Sequence, residues 1–265
     1  MEQQLWRACS NGKVEEVINL LQSLYINTNW QDPQYSRTPF YSACRNGHIE
    51  IVKLLLSDQR VDINQPQSQE ATPFYIACFK GHIEIMKLLL NDDRVDVNKA
   101  NKYEETPFFM ACQEGRLEIV KLLLNDNRVV DINKANNDEG IASFYIACKN
   151  GDIEIVKLLL NDERIDINKS DQNGETPFYI ACFHGHIEIV KYLFACGREI
   201  KINKKDDDGK TALDRARDRG KTRVVELIES FQKNQNKIRT KLRKELGLPG
   251  NISIINFQRN STIKS

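Results

Sequence analysis

No stretch of this 265-residue chain is apolar for the length of a membrane span, which needs about 20 consecutive apolar residues. The segment Met1-Glu2-Gln3-Gln4-Leu5-Trp6-Arg7 lacks a basic run followed by an apolar core, so no secretory signal is visible. These two absences set the expectation of a cytoplasmic protein, with the nucleus as the alternative. Phosphate-cradling motifs are missing too, since neither Gly-x-Gly-x-x-Gly nor a P-loop occurs. Asp206-Asp207-Asp208-Gly209 lacks the alternation and the twelfth-position glutamate of a calcium loop and reads instead as the acidic tip of an exposed arm. Histidine is scarce, at four residues, and His184-Gly185-His186 has no third ligand nearby, so no metal site is expected. Without a constellation that interrupts the pattern described next, the sequence predicts no catalytic residues, no cofactor and no small-molecule substrate.

What is present is a period. Gly12, Gly47, Gly81, Gly115, Gly151, Gly185 and Gly220 are spaced 35, 34, 34, 36, 34 and 35 residues apart. Self-similarity at this interval marks a solenoid, in which one unit cannot bury its own apolar face and neighbours stack to do so. The clearest unit begins at Thr72-Pro73. Threonine can cap an orphan backbone N–H, and proline at the first helical position has no N–H to leave unmet. A short helix then runs to a break at Gly81. A second run from His82 places Ile83, Met86, Leu89 and Leu90 at helical spacing, with Glu84 and Lys87 three apart outside. Both helices fall below the ~12–15 residues an isolated helix needs in water, so stacking must hold them. Asn91-Asp92-Asp93-Arg94-Val95-Asp96-Val97-Asn98 closes the unit as a short arm ending in a turn.

The recurring Thr-Pro-Phe-x-x-Ala-Cys-x-x-Gly-His-Ile-Glu-Ile-Val-Lys-Leu-Leu-Leu, closed by Val-Asp-Ile-Asn, resembles the ankyrin repeat, carried about seven times over residues 1–231. Three departures stand out. Phe-Tyr replaces Leu-His (Phe40-Tyr41, Phe74-Tyr75, Phe178-Tyr179), cysteine replaces the second of two alanines, and the turn is one residue longer. The resemblance implies an all-α solenoid of helix-turn-helix repeats with short β-turn arms. It also implies a non-catalytic module, an adaptor or scaffold, that binds a partner protein or peptide in a concave groove. The loop histidines His48, His82 and His186 match the family's structural position and are expected to be structural, and the arm asparagines Asn64, Asn98, Asn133, Asn168 and Asn203 are expected to be hydrogen-bonders of the turns they close.

Residues 1–36 read as an N-terminal cap, 37–203 as internal repeats and 204–231 as a C-terminal cap. Val14, Val17, Ile18 and Leu21 are the expected buried face of the first cap. With both ends capped, a monomer is expected. The fifth repeat is irregular: Val129-Val130 adds a residue and Ala142-Ser143 stands where Thr-Pro is usual. Cys9, Cys44, Cys78, Cys112, Cys148 and Cys182 share one repeat position. Helix layers ~8–10 Å apart keep them beyond the ~7 Å Cα separation a disulfide tolerates, and they recur too widely for zinc, so they read as reduced apolar filler. Cys196 alone lies off that ladder.

Charge is balanced in sum, at +1, but not in place. Residues 232–265 hold eight Lys or Arg against Glu245 alone, about +7, which leaves about −6 on the repeats. Within that segment Ile238, Leu242 and Leu246 recur every four residues up to Gly247, which predicts a terminal helix, followed by a mobile tail. Two readings of the helix stay open. Its apolar seam covers the last repeat, or it is an arm for an acidic protein or an anionic membrane, with nucleic acid the weakest candidate.

Between near-identical repeats, the residues that change most are the pair before each glycine and the tip of each turn. The pairs are Arg45-Asn46, Phe79-Lys80, Gln113-Glu114, Lys149-Asn150, Phe183-His184 and Asp218-Arg219; the tips include Gln34-Tyr35-Ser36-Arg37, Lys102-Tyr103-Glu104 and Asp171-Gln172-Asn173. Aromatic and arginine side chains dominate interface hot spots. The candidate protein-binding residues are therefore Tyr35, Arg37, Arg45, Phe79, Lys80, Tyr103, Gln113, Glu114, Lys149, Phe183 and His184. Their mixed signs argue against a purely electrostatic partner.

Overall fold

In a computed structural model describing residues 1–249, each Thr-Pro pair starts a helix by the expected mechanism. The side-chain oxygens of Thr38, Thr72, Thr106 and Thr176 accept the N–H of Tyr41, Tyr75, Phe109 and Tyr179. The proline that follows each threonine fills the first helical position, where no N–H is needed. The irregular repeat lacks this cap, and its Ser143 hydroxyl is buried without a hydrogen-bond partner.

The chain packs as two compact units, Met1–Ser143 and a second from Phe144 onward, and the boundary falls directly after the irregular arm. The first holds four helix pairs: α1 (Glu2–Asn11) with α2 (Val14–Leu21), α3 (Pro39–Asn46) with α4 (Ile49–Ser57), α5 (Pro73–Lys80) with α6 (Ile83–Leu90), and α7 (Pro107–Gln113) with α8 (Leu117–Asn125). Its first helices stack in chain order, and its second helices do so less closely. The second unit follows with α9 (Ser143–Asn150), α10 (Ile153–Leu160), α11 (Pro177–His184), α12 (Ile187–Ala195), α13 (Ala212–Asp218), α14 (Thr222–Lys233) and α15 (Gln235–Glu245). There α11 packs on α13, and α15 lies against α12 and α14. Among the described residues there is no strand, only an isolated bridge between Lys205 and Thr211.

The core repeats with the sequence. Phe40, Phe74, Phe108, Phe144 and Phe178 are buried one per repeat, beside Cys44, Cys78, Cys112, Cys148 and Cys182. Burial pushes the thiols of Cys9, Cys44, Cys78, Cys148 and Cys182 upward, Cys9 to about 12, so they act as small apolar side chains. Cys196, off the ladder, is half-buried and its thiol is also raised, chiefly by desolvation. It is not an activated nucleophile.

The second-helix face differs from the one the spacing suggests. Ile85, Met86 and Leu89 are buried, whereas Ile83 is 37% exposed and Leu90 half-buried. The looser row of second helices is the reason: Ile83 lies in a shallow cleft with Glu118, Lys121 and Leu122 of α8. In α2, which has no preceding second helix to pack on, only Val17 of the expected four is buried and Ile18 is 36% exposed.

Two side-chain devices tie each arm to its neighbours. Asn29, Asn64, Asn98 and Asn168 donate their amides to the carbonyls of Arg60, Arg94, Arg128 and Glu199 in the next arm, at 2.6–2.8 Å. The same side chains accept N–H groups from Asp62, Asp96, Val130 and Lys201. The arm asparagines thus bridge repeats rather than close their own turns. The longer turn supplies the second device. Arg60, Arg94 and Arg128 pair with the aspartate two residues earlier at 2.6–2.7 Å. Each then reaches back to carbonyls at the end of the preceding second helix: Leu21 and Ser23, Leu56, and Leu90. A guanidinium there satisfies orphan carbonyls and complements the helix dipole.

The terminal helix packs on the second unit. Leu242 is 3% exposed and so is Arg243. The Arg243 guanidinium donates to the carbonyl of Ala195 at 2.6 Å and Arg239 to that of Phe194 at 3.1 Å, both at the end of α12. Beneath α15, Phe231 stacks on Phe194 with centroids 3.8 Å apart. Of the expected seam only Leu242 is fully buried; Ile238 and Leu246 are half-buried, because a buried arginine occupies part of the contact. Residues 250–265, where the sequence suggests mobility, lie outside the described residues.

Candidate partner-binding surface

Each arm tip is built on one polar side chain at its base. In the first unit, Asp32 accepts the backbone N–H groups of Gln34, Tyr35 and Arg37, and Asn101 those of Tyr103 and Glu105. Asp171 does the same in the second unit for Asn173 and Glu175. Such local bonds fold the backbone into a turn without help from a strand. The tips are also joined backbone to backbone: Ser68 N–H donates to Tyr35 C=O, Lys102 to Gln69 and Asn137 to Tyr103, at 2.9–3.0 Å. Asp207 donates likewise to Asn173 at 3.0 Å. The side chains they present stand on a backbone already held.

Each tip needs one left-handed residue. In the first unit Ser36, Glu70 and Glu104 take it at φ 55, 63 and 61°, where a side chain costs about 1–2 kcal/mol. Glycine takes it in the irregular arm, at Gly140, and in the second unit, at Gly174 and Gly209. Glu104 is further held by an ion pair with Lys134.

Of the sequence candidates, Tyr35 and Tyr103 are each 40% exposed. Both carry a cation on the ring, Arg37 at 4.0 Å from the Tyr35 centroid and Lys102 at 4.8 Å from that of Tyr103. Arg37 is itself half-buried, with its Nε lacking a partner. Phe79 is only partly open: it packs against Ala71, Tyr75 and Met110, with the Lys80 ammonium 4.8 Å from its ring. Arg45 is half-buried in the last turn of α3, and Gln113 and Glu114 are half-buried at the end of α7. In the second unit Phe183 is half-buried, His184 is exposed and Lys149 is half-buried. The structure therefore groups Tyr35 with Arg37, Phe79 with Lys80, and Phe183 with His184.

The loop histidines explain why the repeat glycines are needed. Nε2 of His48, His82 and His186 lies 3.0–3.1 Å from the carbonyls of Ser10, Arg45 and Lys149 in the preceding repeat. A carbonyl only accepts, so that nitrogen carries the proton. Arg116 takes the histidine position in its repeat and donates to the Phe79 carbonyl at 3.1 Å. A Cβ on Gly12 or Gly151 would sit 2.8 Å from the incoming ring, and both glycines have φ above +70°.

The Phe-Tyr departure has a role of the same kind. Tyr75 donates to Glu105 at 3.1 Å and accepts from Asn101, and Tyr145 donates to Glu175 at 3.1 Å. Tyr179 donates to Asp206 at 2.5 Å, and Arg215 bridges Asp206 to the exposed Asp208. Asp206 is therefore a buried arm base, and only Asp207 and Asp208 are the acidic tip the sequence suggested for the whole run. Sequence reasoning passed over Lys102 and Arg219. Arg219 belongs to a pre-glycine pair, Asp218-Arg219, so the rule that selected the others applies to it as well.

A stack of paired short helices joined by arms, with its variable residues on tips and helix ends, is the architecture of a repeat protein of the ankyrin type. Residues 3–67, 59–138 and 144–238 each match the family model for ankyrin repeats (3 copies). The chain belongs to the ankyrin repeat family, whose repeats are generally protein–protein interaction modules. A curated human protein, ankyrin repeat domain-containing protein 7, is 40% identical over 55 residues, which is 21% of this chain and 21% of that protein. The match thus spans about a fifth of that relative's length. Among the described residues no helix is long and apolar enough to cross a membrane, and no cluster of His, Cys, Asp or Glu is placed to hold a metal ion.

Proposed function

We propose that this chain is a non-catalytic adaptor or scaffold that holds a partner protein on its arm tips and the exposed ends of its first helices. The observation that supports this most directly is the pair of tips at Tyr35 and Tyr103. Each presents a 40%-exposed tyrosine with a cation over its ring, on backbone fixed from repeat to repeat. Rigid aromatic side chains lose little conformational entropy on contact, and aromatic residues are enriched where binding energy concentrates. Buried cysteines without disulfide bonds, such as Cys44, Cys78, Cys148 and Cys182, suit a reducing compartment, in keeping with a site of action in the cytoplasm or nucleus.

The test compares partners captured from cell extract by the natural chain and by Tyr35→Ser/Tyr103→Ser, scored by quantitative mass spectrometry. The expected result is about tenfold or greater loss of one or a few specific partners, with the thermal transition unchanged. Equal recovery of every partner by the two chains would overturn the assignment. Phe79→Ser is a poorer probe, because Phe79 also packs against Tyr75 and Met110 and its loss weakens the fold.

A further inference from the structure

The candidate residues taken together include charges of both signs, but those of the second unit include no acid. There the Arg219 guanidinium lies 4.3 Å from the Phe183 ring centroid. Phe183 meets His184 edge-on at 5.2 Å, and His184 stacks on His186 at 5.7 Å with the rings 22° apart. His186 in turn is fixed to the Lys149 carbonyl at 3.1 Å. Lys221 lies across Gly185, its Cδ only 2.8 Å from where a Cβ would stand, so its stem is also placed. The result is a continuous run of planar groups flanked by cations.

These cations act on a common point. The His184 imidazole is held below its usual range, first by burial and then by the positive charges of His186, Lys149, Lys221 and Arg219. Among the described residues no carboxylate lies within 4 Å of Arg219, Lys221 or His184. Asp218, next to Arg219, is engaged by Lys210 at 2.6 Å. Asp152 lies beside His186, and burial raises its carboxyl above the ordinary range, against the pull of His186. The corresponding place in the first unit is different in kind. Arg116 is spent on the Phe79 carbonyl there, and Glu114 stands next to Gln113.

We propose that the second unit receives an acidic segment of the partner protein, with carboxylates meeting Arg219 and Lys221 and an apolar side chain laid on Phe183 and His184. The proposal rests on the partner-binding reading above and names the chemistry of one part of that surface. Carboxylates pair with guanidinium in a two-pronged geometry, and an aromatic floor beside a cation favours an apolar or aromatic neighbour. Nucleic acid would ask for several stacking platforms along a basic track, whereas this patch has one phenylalanine.

The experiment uses the full chain and fluorescein-labelled decapeptides: one rich in Asp and Glu with a central Leu-Phe pair, one with the acids changed to Asn and Gln, and one with them changed to Lys. Anisotropy is read at low and at physiological salt, with a single-stranded oligonucleotide as competitor. The expected result is binding of the acidic peptide alone, weakened by salt. Arg219→Glu/Lys221→Glu should lower its affinity about tenfold or more. The milder Arg219→Gln should lower it by a smaller factor, and both should retain the natural thermal transition. Binding of all three peptides alike, indifference to the Arg219 variants, or stronger binding of the oligonucleotide would overturn the proposal. Tyr35→Ser/Tyr103→Ser should leave peptide binding unchanged. If partner capture depends on those tyrosines while the acidic peptide fails to bind, the general reading stands and this one falls.

Discussion

The two units answer the same problem, how to finish the end of a second helix, with different parts of the chain. In the first, an arginine from the following arm reaches back: Arg60 to α2, Arg94 to α4, Arg128 to α6. In the second, Arg198 still reaches back past the end of α10 to the Asp162 carbonyl, but α12 receives Arg239 and Arg243 from α15, a helix outside the repeat pattern. The difference shows that a repeat's last orphan carbonyls belong to its successor, and that where the pattern ends another element must supply the missing cation. It also accounts for part of the basic character of residues 232–265. Arg239 and Arg243 are used in packing, while Lys233, Lys237, Lys241 and Lys244 stay exposed.

The sharpest way to break this comparison is to remove the cation in each unit. Arg243→Ala strips a buried guanidinium from the Ala195 carbonyl and should cost about 2–3 kcal/mol. Arg128→Ala, whose side chain is 30% exposed, should cost about 1 kcal/mol. Urea denaturation followed by hydrogen exchange would locate the first loss in the second unit and the second loss in the first; equal costs would mean that α15 is a passive cover.

The next effect is on acid stability. Burial would raise the Asp206 carboxyl, but the Tyr179 hydroxyl and Arg215 guanidinium outweigh it and hold the group at about 2. A carboxylate depressed in the folded state stabilises fully above its unfolded value, near 4, and loses that contribution as pH falls toward 2. Asp206→Asn should therefore cost about 1.5–2 kcal/mol at neutral pH and flatten the decline between pH 4 and 2. The arm of Tyr103 in the first unit has Asn101 at the corresponding base, a side chain with no proton to gain over that range, and should show no matching term. Circular-dichroism melts across that range check it.

The smallest effect has the opposite sign. Glu70→Gly relieves a left-handed side chain in the first unit and should stabilise it by about 0.5 kcal/mol. A thermal transition that falls instead would show that the glutamate side chain, and not just the backbone, holds the tip. Non-glycine residues kept in this conformation are found where a surface has a task, and the variant separates that cost from any use of the side chain in binding.

Much of the fold was legible because its signals are local. Threonine followed by proline caps the same helix it starts, and the glycine beat needs only a count. The ladder cysteines follow from their shared position. The misreadings concern partners in another repeat. Asn64 looks like a residue of its own turn, yet its amide spans to Arg94. Ile83 has the spacing of a core residue, but the second helices stand too far apart to cover it. Asp206 reads as one of three surface acids until Tyr179 and Arg215 are seen to enclose it. The surface candidates were selected by variability between repeats, which marks where a residue is free to change and is silent about what lies beside it. Lys102 and Arg219 were passed over for that reason.

By itself the order of residues determined the repeat, its helix starts, its glycine breaks and its apolar interior, because each depends on neighbours within about one turn or on a recurring period. Only the tertiary structure decided which carbonyl each histidine, asparagine and arginine would meet. It also decided that a basic terminal helix would close α12 and that one stretch of the second unit would gather cations around a single phenylalanine. Those contacts join residues 26 to 48 positions apart, and their geometry is set by how one repeat settles on the next.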